Sequence, residues 1–171
     1  MTRFTSAVGW LRSGAEGVAV ALLTAVFVAF IIQIVFRYVL NFPIGWTSEL
    51  SSIGWIWLVL WGAAFVVREE DEIRLDIIYG GVSPEVRRVM VLFVASALVA
   101  LYVISFPAVF DYVTFMKVQS TAYLKIRFDW LFSIYVVFVV AVIIRYLWLS
   151  WQALFGKAPK EFDPTKAGSG V

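Results

Sequence analysis

Histidine and cysteine are absent from this chain. Without cysteine, the protein cannot exchange disulfides, use a thiolate nucleophile or ligate an iron–sulfur cluster. Without histidine, it lacks the side chain that binds haem iron in bis-histidine sites and zinc in most zinc sites. We therefore expect no catalytic residue, no metal site and no cofactor in this chain.

Charged residues are also scarce, since they make up only 15% of the 171 residues while 62% are hydrophobic. Charged residues make up about a quarter of an average soluble domain. The net charge of +2 is small and gives no reason to expect a nucleic-acid partner. A run of about 18 or more apolar residues with few charges is typical of a transmembrane helix, and the chain contains four such runs. The sequence therefore predicts an all-α membrane protein.

The four predicted transmembrane helices cover residues 17–40, 48–67, 86–110 and 130–151. With their connections they form one predicted domain over residues 1–155, which leaves no room for a second globular domain. The tail over residues 156–171 is rich in Lys, Pro and Gly, and we expect it to be flexible.

Lysine and arginine are distributed unequally between the two sides of these helices. Ten lie on the side of the termini, in the N-terminal segment, in residues 68–88 and from Arg145 onward. Four lie on the other side, namely Arg37, Lys117, Lys125 and Arg127. Because basic residues are enriched on the cytoplasmic side of membrane proteins, this distribution predicts a multi-pass protein with both termini in the cytoplasm.

The N-terminal segment has an amphipathic pattern. Phe4, Val8 and Leu11 recur at helical spacing between Arg3 and Arg12. Such a pattern is typical of a short helix that lies in the membrane interface. A frayed terminus is the alternative.

The interiors of the predicted spans contain no Asp, Glu, Lys or Arg. A proton relay or an ion pathway normally places ionisable residues there. Glu49 precedes the second apolar run, so we place it at the outer interface, paired with Arg37, where both help to fix the first two helices or a partner contact. The alternative is proton coupling through Glu49, as in very small exporters. The acids at 69–72 are interpreted as a solvated loop.

The second span carries features of helix packing. Gly54 and Gly62 lie on nearly the same face, and small residues at that spacing let another helix approach closely. Trp57 and Trp61 fall well inside the span, although Trp is commonest at the membrane interfaces. They either pack against a partner protein or face lipid.

The order of motifs through this region resembles a known family. The motifs are Arg37-Tyr38, Trp46, Glu49-Leu50, Trp57, Gly62-Ala63, Arg68, Ile73-Arg74-Leu75-Asp76 and Ser83-Pro84. Together they resemble the small membrane subunit of tripartite ATP-independent periplasmic (TRAP) transporters, the DctQ-like family. One position departs from the pattern, because the chain has Glu72 where the family often has His.

The resemblance implies a four-helix subunit of the bacterial cytoplasmic (inner) membrane. It associates with membrane lipid and with a much larger transmembrane subunit, which binds sodium and substrate. A soluble periplasmic protein captures the substrate, commonly a carboxylate-bearing organic acid. The small subunit enlarges the static scaffold and can help to dock that protein.

The residues expected to contact partners or support assembly are Arg37, Tyr38, Trp46, Glu49, Gly54, Trp57, Gly62 and Asp76. The alternative functions are a self-assembling small channel, a proton-coupled exporter, or a membrane anchor for a soluble enzyme.

Overall fold

The computed structural model describes residues 2–42, 44–67 and 83–155. Its helices are α1 (Thr2–Ile34), α2 (Trp46–Trp61), α3 (Pro84–Phe115) and α4 (Phe128–Phe155). All four belong to segments long and apolar enough to cross a membrane, which confirms the predicted all-α membrane fold. Asp76, Glu72 and the predicted flexible tail lie outside the described residues.

Helix α1 is longer than the first predicted span. It begins at Thr2 and runs without interruption to Ile34, so the expected interfacial segment is continuous with the transmembrane helix. Its 33 residues correspond to about 50 Å at 1.5 Å per residue, more than the roughly 30 Å of a bilayer's hydrocarbon core. An ion pair of 2.8 Å between Arg12 and Glu16, one turn apart, joins two of its charged side chains.

Helices α1 and α2 each end in a π-helical turn, over Val35–Val39 and Gly62–Val66. After the first of these turns, Asn41 takes a left-handed conformation with φ of 51°. Asparagine tolerates that conformation better than most residues, and it commonly ends helices in this way. The amide of Phe42 then donates to the carbonyl of Phe36 at 2.9 Å, which closes the helix end. The break after the first span is thus at the predicted place.

Helix α3 extends past the predicted boundary. Pro107 lies inside it, and the helix continues to Phe115 before a 3₁₀ turn over Met116–Val118. Asp111, which follows the predicted span over residues 86–110, is therefore helical. Proline removes one backbone donor, but leaving the helix at membrane depth would expose many unsatisfied backbone groups. The helix therefore continues through Pro107, and the connection to α4 is correspondingly shorter.

The chain divides into two compact units, and the prediction of one domain over residues 1–155 stays a prediction. The first unit is Met1–Arg68 with Ser105–Ala141, and the second is Glu69–Ile104 with Val142–Val171. In the first unit, Ile134 of α4 is completely buried, and Tyr112 of α3 lies 6.1 Å from the ring of Phe132. In the second unit, the buried side chains of the described residues are Arg87, Ala95, Val142 and Ala153.

In the first unit, α1 packs along α2, and the closest approach is at Gly54. A Cβ atom built on Gly54 would lie 2.5 Å from Cγ2 of Val26, whereas one built on Gly62 would meet no atom within 4 Å. The predicted close approach is therefore present at Gly54 but not at Gly62 among the described residues. Beside it lies an apolar groove of about 290 Å³, lined by Leu22, Ala25, Val26, Leu50, Ile53, Gly54 and Trp57.

We expect Gly54→Ala to destabilise the protein. The added methyl group meets the stiff, β-branched side chain of Val26, and overpacking of this kind costs about 1–3 kcal/mol. Better helix propensity returns only about 0.5–1 kcal/mol. Thermal unfolding in mild detergent measures the net loss. A shift of 1 kcal/mol corresponds to roughly 2–4 °C in a protein of this size.

The matched control is Gly17→Ala in α1, because a Cβ atom there meets nothing within 4 Å. This variant should be as stable as the parent or slightly more stable. Equal melting temperatures for the two variants would show that α1 and α2 do not approach each other closely at Gly54.

Candidate assembly site

The carboxylate of Glu49 joins the start of α2 to the connection between α3 and α4. Its Oε1 accepts a hydrogen bond from the backbone N–H of Tyr123 at 2.9 Å, and its Oε2 accepts one from Leu124 at 3.0 Å. Hydrogen bonds to an ionised acceptor are roughly twice as strong as neutral ones. Glu49 therefore fixes two parts of the chain that are 74 residues apart in sequence.

The connection over residues 119–127 is itself ordered by hydrogen bonds. Ser120 and Arg127 form an antiparallel bridge, and the amide of Thr121 donates to the carbonyl of Ile126 at 2.9 Å. The amide of Ile126 donates in return to the buried hydroxyl of Thr121 at 3.1 Å. Inside this bridge, Lys125 takes a left-handed conformation with φ of 54°. The tight turn leaves the amides of residues 123 and 124 available to Glu49.

Gly45 provides the space for this arrangement. It immediately precedes α2, and its carbonyl accepts the amide of Glu49 at 3.3 Å. A Cβ atom at Gly45 would overlap the ring of Tyr123. The absence of a side chain at this position lets the ring of Tyr123 lie directly against the backbone where α2 begins.

Arg37 and Glu49 do not form the expected pair. Among the described residues, no ion pair joins them, and the guanidinium of Arg37 instead lies 5.7 Å from the ring centroid of Tyr38. Such a contact is typical of a cation–π interaction. The two carboxylate oxygens of Glu49 are occupied by backbone donors, which sequence reasoning did not identify as partners.

The two tryptophans at membrane depth donate hydrogen bonds within the chain. The indole Nε1 of Trp57 donates to the carbonyl of Leu131 in α4 at 3.0 Å, and that of Trp61 donates to the carbonyl of Ala15 in α1 at 3.0 Å. The guanidinium of Arg12 also reaches the carbonyl of Val66, at 3.4 Å. A buried indole N–H usually finds a partner, and here both partners are backbone carbonyls of neighbouring helices.

The predicted assembly residues thus include some that contact other parts of the chain and some that are exposed. Glu49, Gly54 and Trp57 have contacts with other segments of the same chain. Tyr38 is 73% exposed and Trp46 is 38% exposed.

Sequence reasoning missed the connection over residues 119–127 as part of this site. The sequence indicated this connection only indirectly, through a glutamate in the first turn of α2 and the polar residues that follow the third span.

A family model for the DctQ component of tripartite ATP-independent periplasmic transporters matches residues 26–156. The chain belongs to this family. The match covers most of the chain, including α2 and the connection bound by Glu49, and it confirms the resemblance drawn from the motifs between Arg37 and Asp76. A comparison with curated proteins finds no match. As a DctQ-family protein, the chain is a multi-pass membrane component of a transporter.

Replacing Glu49 should remove the hydrogen bonds that hold the connection over residues 119–127 against the start of α2. In Glu49→Ala both amides lose their acceptor, and in Glu49→Gln one amide oxygen replaces two charged oxygens. We expect faster hydrogen exchange at Tyr123 and Leu124, more so for alanine than for glutamine. Exchange mass spectrometry of the protein in lipid nanodiscs measures this.

Glu16→Gln serves as the control, since Glu16 binds Arg12 on α1. It should leave exchange in residues 119–127 unchanged. Unchanged exchange in Glu49→Ala would mean that the carboxylate does not hold the connection.

Trp57→Phe and Trp61→Phe keep an aromatic ring but remove the N–H donor. Hydrogen bonds between helices in membranes contribute about 0.6 kcal/mol on average and up to about 1.7 kcal/mol, so each variant should melt a few degrees lower. Trp55→Phe on the same helix is the control, because its indole is exposed and has no hydrogen bond within the described part of the chain. If all three variants lose equal stability, ring volume rather than the N–H donor is responsible.

Proposed function

We propose that this DctQ-family chain is the non-catalytic scaffold subunit of a sodium-coupled TRAP transporter that imports organic acids. In this proposal, its partners are a large transmembrane subunit and a periplasmic substrate-binding protein. The large subunit carries the sodium and substrate sites. The chain lies in the bacterial inner membrane with both termini in the cytoplasm.

The observation that most directly supports this proposal is that the carboxylate of Glu49 is hydrogen-bonded within the chain. It is the acid closest to the apolar interior of α2, and a proton-coupled exporter would need such a carboxylate to be free to bind and release protons. Here both of its oxygens accept backbone hydrogen bonds from the connection. A carboxylate held in this way supports a structural role.

Three further long-range hydrogen bonds among the described residues of the first unit support the same interpretation. Those of Arg12, Trp57 and Trp61 all end on backbone carbonyls of another segment. Bonds of this kind fix the spacing of helices, and they do not form a polar path across the membrane. The span interiors likewise contain no Asp, Glu, Lys or Arg, the residues that usually mark an ion pathway through a membrane.

Exposed apolar side chains leave room for a large membrane partner. Phe27, Phe30 and Ile31 of α1 and Trp55 and Val59 of α2 are all exposed. At membrane depth such side chains contact either lipid or the helices of another subunit. The described helices therefore expose enough apolar surface to contact both lipid and another subunit.

Affinity purification of the tagged chain from its native membrane tests the proposal. We expect a large polytopic subunit to come with it in equimolar amount, identified by mass spectrometry. Proteoliposomes with both subunits and the binding protein should take up substrate in response to a sodium gradient, while proteoliposomes with this chain alone should not.

The control is the same preparation with the large subunit omitted from expression. A lone homo-oligomer that supports substrate flux would overturn the scaffold proposal in favour of a channel or exporter. Copurification with a soluble oxidoreductase would favour a membrane anchor.

A further inference from the structure

The apolar groove between α1 and α2 lies mainly in one half of the membrane. Helix α2 and its π turn cover 21 residues from Trp46 to Val66, about 31 Å, which matches the roughly 30 Å of the hydrocarbon core. The groove residues of α2 lie between Leu50 and Trp57. At 1.5 Å per residue they are about 6–16 Å from the start of the helix, and Gly54 is about 12 Å from it. The groove is therefore at the depth of the acyl chains on the side where α2 begins.

The walls of the groove are apolar and held in place. The small side chain of Ala25 and the missing side chain of Gly54 leave a space of about 290 Å³, which Leu50 and Trp57 border. The indole of Trp57 is fixed by its hydrogen bond of 3.0 Å to the carbonyl of Leu131. One turn of an α-helix, about 10 Å across, encloses about 400 Å³. A helix of another subunit therefore inserts only single side chains here, whereas a thin, linear acyl chain fits along the groove.

Two polar side chains continue the line of the groove along α1. Gln33 and Arg37 lie seven and eleven residues beyond Val26, and these spacings keep all three on one face of the helix. They are about 10 and 16 Å from Val26 along the helix axis. Val26 lies against Gly54, and α2 begins about 12 Å from Gly54. Gln33 is thus just inside the boundary of the hydrocarbon, and Arg37 is just outside it.

The donors of these two side chains have no partner in the described part of the chain. Gln33 is partly exposed, and its amide forms no hydrogen bond with a described residue. The exposed guanidinium of Arg37 lies 5.7 Å from the ring centroid of Tyr38 and forms no ion pair with a described residue. An unsatisfied amide at the edge of the hydrocarbon costs free energy, so a ligand that accepts its hydrogen bond gains from doing so.

We propose that the groove, Gln33 and Arg37 form a binding site for one membrane phospholipid. One acyl chain lies in the groove, the amide of Gln33 donates to a glycerol ester carbonyl, and the guanidinium of Arg37 binds the phosphate. The order of apolar groove, amide and cation matches the order of chain, ester and phosphate in the lipid. A planar guanidinium also suits the oxygens of a phosphate. The inference does not depend on the proposed function, since it requires only that the chain lies in a membrane.

Net charge does not select the lipid at this site. The carboxylate of Glu49, in the first turn of α2, keeps its negative charge while it accepts two backbone hydrogen bonds. The region therefore has no large excess of positive charge. Recognition rests on hydrogen bonds to the phosphate and the ester, which every glycerophospholipid carries, so a zwitterionic lipid such as phosphatidylethanolamine suits the site.

Photocrosslinking in nanodiscs tests the site. The chain, with the subunits that copurify from its native membrane, is reconstituted with phosphatidylethanolamine that carries a diazirine midway along one acyl chain. Mass spectrometry should find the probe on peptides that contain Ala25 and Leu50, and this labelling should saturate as the probe fraction rises. Ile104, which is 79% exposed on α3, is the reference for ordinary lipid contact, and its labelling should rise in proportion to the probe.

Substitution of the two polar side chains separates a specific site from ordinary lipid contact. Arg37→Gln should lower groove labelling about fivefold, the usual contribution of one basic side chain near a lipid headgroup. Gln33→Leu should lower it about threefold, through loss of one hydrogen bond in the membrane. Lys117→Gln is the control, because Lys117 is exposed at the same end of the helices but lies in the 3₁₀ turn, away from α1. Groove labelling that stays the same in Arg37→Gln and Gln33→Leu would overturn the site.

A substitution in the groove itself tests where the acyl chain lies. Ala25→Phe fills the groove and should remove most of the labelling on Leu50. Ala21→Phe adds the same ring at an exposed position outside the groove and should leave that labelling unchanged. Equal loss in both variants would contradict an acyl chain in the groove.

A diacylglycerol probe with the same acyl chain tests recognition of the phosphate. It should label the groove of the parent about fivefold less than phosphatidylethanolamine does, because it offers Arg37 no phosphate. Equal labelling by the two probes would mean that the groove accepts any acyl chain. Labelling of the groove in the chain alone but not in the complex would mean that another subunit covers it. Either result overturns the proposal.

Discussion

The hydrocarbon interior of a membrane offers no hydrogen-bond partner, so polar groups within these helices must be satisfied by the protein itself. Hydroxyl groups do this locally by donating to a carbonyl about one turn earlier, as at Thr24, Ser52, Ser96, Thr114, Ser133 and Ser150. The indoles of Trp57 and Trp61 do it across helices. The two indoles thereby connect different helices of the first unit, whereas these hydroxyls bond within their own helix. The hydroxyl of Ser51 on α2 is an exception, because it is buried without a hydrogen-bond partner among the described residues.

The same requirement explains which parts of the fold were predictable from the sequence. Hydropathy alone indicated the number and approximate positions of the helices, because crossing the bilayer sets a minimum apolar length. It did not indicate the ends of α1 and α3. Thr2 and Phe115 lie well outside the predicted spans. A helix continues wherever keeping its backbone hydrogen bonds costs less free energy than breaking them. Pro107 favours a kink or a boundary near the end of the third span, but the cost of unsatisfied backbone groups outweighs that local preference, and α3 continues past it.

The assembly site was less predictable, for a different physical reason. Helical spacing shows which residues share a face but not what lies opposite that face. Gly54 and Gly62 are equivalent by spacing, yet only Gly54 has Val26 against it. The acceptor of Trp57 and the donors to Glu49 lie 74 or more residues away in sequence. A backbone amide or carbonyl is present at every position, so no residue type marks it as the partner.

Helix α2 is consequently the element on which the first unit depends. Glu49 joins it to the connection over residues 119–127, Gly54 and Trp61 join it to α1, and Trp57 joins it to α4. The family pattern is concentrated in and around this helix, and part of that pattern serves the internal structure before any partner is considered. The members of the pattern that the described chain leaves exposed are Arg37, Tyr38 and Trp46, and a Cβ atom at Gly62 would meet nothing within 4 Å. Contacts with another subunit or with a bound lipid are therefore to be sought first at those four positions, because each has surface that the described chain does not cover.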